Sequence, residues 1–267
     1  MAASDGVRSG GGSGFSDLAP RVLVGALLIA LALAAVYLGG WAFTALATVA
    51  VAAILVEWCA MHGVSAAARV LGFGFIVAVA AATGFGRAGE ALLLLAVAAS
   101  LMLFVSRPAT FGLLYAGLPL IAAIWLRGLD SGRDLVIWAL AVVWATDISA
   151  YFAGRLIGGP RIAPAISPSK TWAGLGGGML GAGIAAAALA ELAGLGITTP
   201  QAALFGGLLA VVAQAGDFLE SHLKRRAGVK DSGSLLPGHG GAMDRLDGAV
   251  PVVIVVAAAV WAAQVPA

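Results

Sequence analysis

The chain predicts an all-α polytopic membrane bundle of about nine transmembrane helices with a cytoplasmic N-terminus, and three observations carry that prediction. Mean hydropathy is +1.01 and 10% of the residues are charged, where soluble domains carry about 25%. Apolar runs recur along the 267 residues, each near the ~20 residues that cross a bilayer. Lysine and arginine collect on alternate connections between those runs.

Residues 1–19 are Gly/Ser-rich and lack a core-forming pattern, so they read as a disordered tail. The first apolar run turns directly into a second at Gly39-Gly40, so no cleavable leader is expected. The spans fall at 22–38, 41–59, 70–83, 90–105, 111–126, 135–153, 172–193, 201–216 and 249–265. The third is short and broken by Gly72, Gly74 and Gly84. Trp41, Trp58, Trp125 and Trp261 lie near span ends, where an indole suits the headgroup level. Span 172–193 carries Gly174, Gly177, Gly178, Gly181 and Gly183, the spacing of a close-packed helix. Cys59, the single cysteine, stands in an apolar run and forms no intrachain disulfide. The organisation expected is a tail, a scaffold over 20–133, and a catalytic region over 134–267 with cytoplasmic loops 154–171 and 217–248.

Nine spans with the N-terminus inside place twelve of the fifteen basic residues in the cytoplasm; Arg87, Arg127 and Arg133 alone fall outside. The active face is therefore expected on the cytoplasmic side of the cell (plasma or inner) membrane.

Charge is concentrated in one stretch. Of 28 charged residues, ten lie between Asp217 and Asp247. Asp217, Glu220, Ser221 and Lys224 are spaced to share one helix face, and Gly228 offers a stop with Lys224, Arg225 and Arg226 in the last turns. A solvated helix end with local ion pairs would have the same spacing. Asp217 directly follows an apolar run, where an ionisable group is costly without a partner. Gly238, Gly240 and Gly241 flank His239 and permit left-handed backbone and an N–H nest for an anion, although a flexible turn would look alike. Asp244 and Asp247, with Arg245 between them, precede the last span; with Asp217 they could share a divalent cation. Acids for Mg²⁺, bases for phosphate and a Gly-rich turn within 31 residues form a set suited to phosphoryl chemistry. Asp147 and Tyr151 end the sixth span, while Ser167, Lys170 and Thr171 open the seventh, where free N–H groups welcome an anion. For Glu57 and Glu191 the sequence suggests only interhelical hydrogen bonds.

These residues resemble the phosphatidate cytidylyltransferases (CDP-diacylglycerol synthases). The family's C-terminal signature is present as Ser221, Lys224-Arg225, Lys230-Asp231, Pro237-Gly238-His239-Gly240-Gly241 and Asp244-Arg245-Leu246-Asp247. The lead-in Gly216-Asp217-Phe218-Leu219-Glu220 and the segment from Asp147 through Ala150-Tyr151-Phe152 to Gly154-Arg155 are similar too. Ser167-Pro168-Ser169-Lys170-Thr171-Trp172-Ala173-Gly174 matches a further segment, with Ser169 and Ala173 where the family has lysine and glutamate. The resemblance is dense over 144–250. It implies transfer of a cytidylyl group from CTP to phosphatidate, with Mg²⁺ and room for a second cation, in a homodimer. It assigns Asp217, Asp244 and Asp247 to metal, with Lys224 and His239 also catalytic. Ser167, Lys170, Thr171, Ser221, Arg225, Lys230, Gly238, Gly240, Gly241, Arg245, Asp147, Tyr151 and Glu220 would contact substrate. Two other classes are weighed against it. A CTP-dependent polyprenol or phytol kinase needs a base for its neutral hydroxyl acceptor. An ion or solute transporter would place its charges near mid-bilayer rather than at one face.

Overall fold

The computed structural model describes residues 18–235 and 240–264. Each predicted span forms one helix: α1 (Leu18–Leu38), α2 (Gly40–Met61), α3 (Ala66–Gly84), α4 (Ala88–Val105), α5 (Arg107–Gly128), α6 (Gly132–Leu156), α7 (Trp172–Ala193), α8 (Thr199–Arg226) and α10 (Ala249–Gln264). Among the described residues, α2 to α8 are long and apolar enough to cross a membrane, while Val22–Leu38 of α1 and α10 are shorter apolar helices. At 1.5 Å per residue, the 16 residues of α10 span about 24 Å, just under a ~30 Å hydrocarbon core. The broken third run is a 19-residue helix, started by the Ser65 hydroxyl accepting from the Ala68 N–H at 3.3 Å. Outward-facing Leu23, Leu27, Val70, Leu93, Phe104 and Leu192 are all exposed, an apolar coat suited to lipid and not to water.

Two elements were not foreseen. The connection 154–171 folds into an antiparallel pair, β1 (Arg161–Ala163) and β2 (Ser167–Thr171), with Arg161 opposite Thr171 and Ala163 opposite Ser167. Pairing satisfies backbone groups that a bare loop would leave to water. A single helical turn, α9 (Met243–Leu246), precedes α10. The tail expected over 1–19 overlaps α1, which begins at Leu18; residues 1–17 lie outside the described range.

Helix association in lipid lacks a hydrophobic drive and depends on close approach and hydrogen bonds. One apolar core gathers α1, α6, α7, α8 and α10 around Val142, Ala182, Leu209 and Val252. Another gathers α2 to α5 around Leu55, Ile76, Leu95 and Leu113. The glycine helix α7 lies between α6 and α8. A Cβ at Gly177 would overlap Ala153, one at Gly181 would overlap Ser149, and one at Gly183 would stand 2.9 Å from the Ala203 carbonyl. A small third cluster, Ile54, Trp58, Ala242, Met243 and Val250, seats the α9 segment against α2.

Trp58 departs from the headgroup role expected of it. It is 5% exposed, stacks on Tyr115 and donates from its indole to the Pro108 carbonyl at 2.8 Å, in space left by Gly112. A ring whose one donor finds a buried carbonyl has no need of the interface. Trp41 and Trp261, by contrast, are exposed as expected.

At the far end of the bundle, Arg127 donates to the last carbonyls of α1, Val36 at 2.6 Å and Tyr37 at 3.3 Å, across the left-handed Gly39. Bonds to a charged donor are each worth about 1.5–3 kcal/mol. Arg127→Ala is expected to lower the detergent-solubilised protein's thermal midpoint while leaving substrate KM values unchanged, because the contact is remote from the acidic segment.

Candidate active site

The alternating course of the chain brings the ends of α2, α6 and α8 and the starts of α5, α7 and α10 to one face of the bundle. The polar segment assembles there.

Helix α8 runs past its apolar part to Arg226 and stops at Gly228, whose φ of 75° only glycine adopts readily. Asp217, Glu220, Ser221 and Lys224 share one face, as their spacing predicted. They do not form a solvated end. Glu220 is 1% exposed and Lys224 12%, and Lys224 Nζ lies 2.7 Å from Glu220 and 2.5 Å from Asp244. Lys170, in β2 just ahead of α7, is ion-paired with Asp217, and the Ser221 hydroxyl lies 3.3 Å from the same carboxyl.

One carboxylate oxygen from each of Asp217, Glu220 and Asp247 lies within 4.8 Å of the others. Among the described residues Glu220 Oε1 is buried with no hydrogen-bond partner, an acceptor beside two further acids. Burying a lone acceptor is costly unless something satisfies it. Counting Asp244, four carboxyls face two lysines, leaving a formal charge of −2. Burial and the neighbouring Asp217 charge push the Asp247 carboxyl up to about 7, against the opposing Gly248 N–H bond. These are the properties of oxygen donors suited to a hard divalent cation.

Asp244 is placed differently. Its oxygens take Lys224, the Gly241 N–H at 2.9 Å and the Ser232 N–H at 3.2 Å. Burial raises its pKa, but bonding with Glu220, Lys224 and Gly241 prevails and brings it to about 2. Gly240 adopts φ of 80°, the left-handed geometry the Gly-rich turn was expected to need, and packs against Asp244. Gly238 and His239 lie outside the described residues.

Beside the carboxyl cluster opens a cleft of about 420 Å³ between α6, α7 and α8, with Asp147, Arg155, Lys170, Thr171, Gln214 and Asp217 in its wall. Tyr151 also faces it and accepts from Arg155 at 2.8 Å. Thr171 caps α7, its hydroxyl accepting from the Gly174 N–H at 3.0 Å. Ser167 is buried in β2 and is not part of the cleft wall. Arg225 is exposed and donates to the Val229 carbonyl at 3.3 Å; Lys230 and Arg245 are also exposed, and none of the three lines the cleft.

The residue whose role the sequence did not reveal is Glu57 of α2. It is 2% exposed and bonds into the polar segment rather than to another long helix. It accepts from the Ser232 hydroxyl at 2.9 Å, the Ala242 N–H at 2.8 Å and the Met243 N–H at 2.9 Å. Cβ atoms at Gly233 or Gly241 would overlap it. The signal was a carboxyl inside an apolar span, which costs enough to demand a partner. Gln214 and Arg155 of the cleft were likewise absent from the expected set.

The cytidylyltransferase family model matches residues 19–263. The chain belongs to the cytidylyltransferase family. Phosphatidate cytidylyltransferase of Brucella abortus is 37% identical over 248 residues, covering 88% of this chain and 90% of the relative. The Bacillus subtilis protein of the same name is 41% identical over 139 residues, 52% of each chain. The Pseudomonas aeruginosa one is 38% identical over 141 residues, again 52% of each. Family membership and the apolar helices make this an integral membrane protein.

Proposed function

We propose that the chain transfers a cytidylyl group from CTP to phosphatidate, releasing pyrophosphate, at a Mg²⁺-dependent site on the cytoplasmic face of the cell membrane. The observation that carries the reading is the juxtaposition of three convergent carboxyls with the lysine-lined cleft, in a chain whose relatives over nearly full length are phosphatidate cytidylyltransferases.

Asp217, Glu220 and Asp247 would hold the cation; when bound, it supplies charge neutralisation to phosphate oxygens. Lys170 and Arg155 stand in the cleft wall where they can hold the triphosphate, and Asp147 and Gln214 offer polar contacts there. Lys224 sits between Glu220 and Asp244, ready to meet negative charge gathering at the reacting phosphorus. The lipid phosphate has its second pKa near 6 and arrives ionised, so no side chain need remove a proton from it. Its oxygen bonds to the α-phosphorus as the bond to the bridging oxygen breaks, and pyrophosphate departs with that electron pair. Catalysis is then positioning and charge stabilisation. Asp244 serves by tying Lys224 to the backbone at Ser232 and Gly241.

Purified protein given CTP radiolabelled at both the α- and γ-phosphates, Mg²⁺ and equimolar phosphatidate and polyprenol is expected to label phosphatidate alone, as CDP-diacylglycerol carrying the α-phosphate. Label in polyprenyl phosphate, or in neither lipid, refutes the reading.

A further inference from the structure

The wall of the polar cleft is divided in a way that a triphosphate alone does not explain. Along α6 its residues Asp147, Tyr151 and Arg155 are four apart, so each stands about 6 Å nearer the mouth than the one before. Arg155 and Lys170 suit phosphate, whereas the Asp147 carboxylate repels it. On α8, Gln214 lies about 4.5 Å further in than Asp217. It is 7% exposed, yet its amide faces the cleft and makes no hydrogen bond among the described residues. A buried amide without partners is costly, so this one is set to pair with something polar that enters. Asp147 likewise accepts no hydrogen bond among the described residues. Tyr151 and Leu175 add a ring and an apolar side chain to the same wall.

We propose that the inner end of the cleft reads the nucleobase, with the Asp147 carboxylate accepting from the exocyclic amine of cytosine and the Gln214 amide pairing with its ring edge. This rests on the CTP reading above and adds the choice of base to it. CTP carries donors in only two places, the 4-amino group and the ribose hydroxyls; its phosphates are acceptors, to be met by Lys170 and Arg155. An ionised carboxylate takes donors only. Cytosine presents an amine where uracil presents a carbonyl oxygen, so a fixed carboxylate attracts one base and repels the other. Gln214 contributes differently. A half-turn of its amide exchanges donor and acceptor, so it can pair with either pyrimidine and adds affinity without choosing. The order along the cleft then matches the order along the nucleotide. The base lies innermost, the α-phosphate beside Lys170 and Asp217, and the outer phosphates toward Arg155.

Base choice is the informative readout, because a merely structural role would not move it. Wild-type protein is expected to prefer CTP over UTP by at least about 10²-fold in kcat/KM, and to bind CTP dimethylated on the exocyclic amine at least about tenfold more weakly than CTP. Asp147→Asn, whose amide can donate to uracil, is expected to lower the CTP-to-UTP ratio by at least about tenfold, in part by raising kcat/KM for UTP. Damage to the fold does not produce such a gain. Gln214→Leu is expected to raise the KM for CTP about tenfold, with the CTP-to-UTP ratio changed less than about threefold and the KM for phosphatidate unchanged. Equilibrium dialysis of nucleotide with Mg²⁺ and no lipid is expected to give the same ranking. Equal use of CTP and UTP by wild type, equal binding of the dimethylated analogue, or an unchanged or equally reduced pair of nucleotides in Asp147→Asn overturns the base assignment. So does a change confined to CTP against dCTP, which gives Asp147 to the ribose, or loss of Mn²⁺ binding in Asp147→Asn, which gives it to the cation. A wild-type protein that makes no CDP-lipid from CTP overturns the parent reading instead, which keeps the two failures distinct.

Discussion

Asp247→Asn is expected to lower turnover by about 10³-fold, equivalent to about 4 kcal/mol of transition-state stabilisation. The substitution keeps size and one oxygen but removes the charge from a carboxyl shared with Asp217 and Glu220. Two companion variants separate cation binding from loop support. Glu220→Gln replaces either the unpartnered oxygen Oε1 or the Oε2 that pairs with Lys224 and is expected to raise the Mg²⁺ concentration for half-maximal activity severalfold or more. Asp244→Asn breaks the tie among Lys224, Ser232 and Gly241, and is expected to cut turnover while leaving that Mg²⁺ midpoint in place. Mn²⁺ binding, read by electron paramagnetic resonance without nucleotide, checks the same ranking independently of activity. Loss of Mn²⁺ binding in Asp244→Asn with retention in Glu220→Gln would reverse the ligand assignment.

Glu57→Ala is expected to be nearly as damaging although Glu57 is placed away from the reacting groups. It strands the Ser232 hydroxyl and the N–H groups of Ala242 and Met243 in a buried site, at about 1–3 kcal/mol for each donor left unsatisfied. The 232–243 segment carries the anchor points of Asp244, so its loosening is expected to reduce kcat by about 10–100-fold, the range for supporting partners of a metal site. Glu57→Gln keeps one acceptor and is expected to fall between Ala and wild type. Limited proteolysis distinguishes this from general unfolding: cleavage is expected within 228–243 in the variant, with the α3–α4 region still protected. Uniform proteolysis of the whole chain would make Glu57 a global stability residue instead. The N-terminal helices, expected to be scaffold, thus reach into the site through α2.

What the sequence determined by itself follows from local physics. A membrane span must satisfy every backbone group internally, so apolar runs of sufficient length become helices whatever surrounds them. All nine runs did so, including the third, where Ser65 as a cap and a 19-residue length outweigh three glycines. The 3.6-residue period put Asp217, Glu220, Ser221 and Lys224 on one face, and Gly228 ended their helix. The sequence placed its candidate acids and bases close together between 217 and 247, and of these Asp217, Glu220 and Asp247 converge and Lys224 pairs with Glu220 and Asp244.

Partnerships across the bundle depended on the tertiary structure. Glu57 and the α9 segment are separated by about 185 residues of chain, and no local pattern pairs a lone glutamate with the backbone N–H groups it will accept from. Lys224 pairs with both Glu220 and Asp244, two acids equally visible in sequence; Glu220 gathers with Asp217 and Asp247, while Asp244 is held on the backbone N–H groups of Ser232 and Gly241. Trp58 had the position of an interface anchor and became a packing residue because Gly112, on another helix, leaves it space. The β1–β2 pair formed where charge and proline suggested only a loop. In each case the deciding quantity is which buried donor meets which acceptor, and that is settled only when the helices have packed.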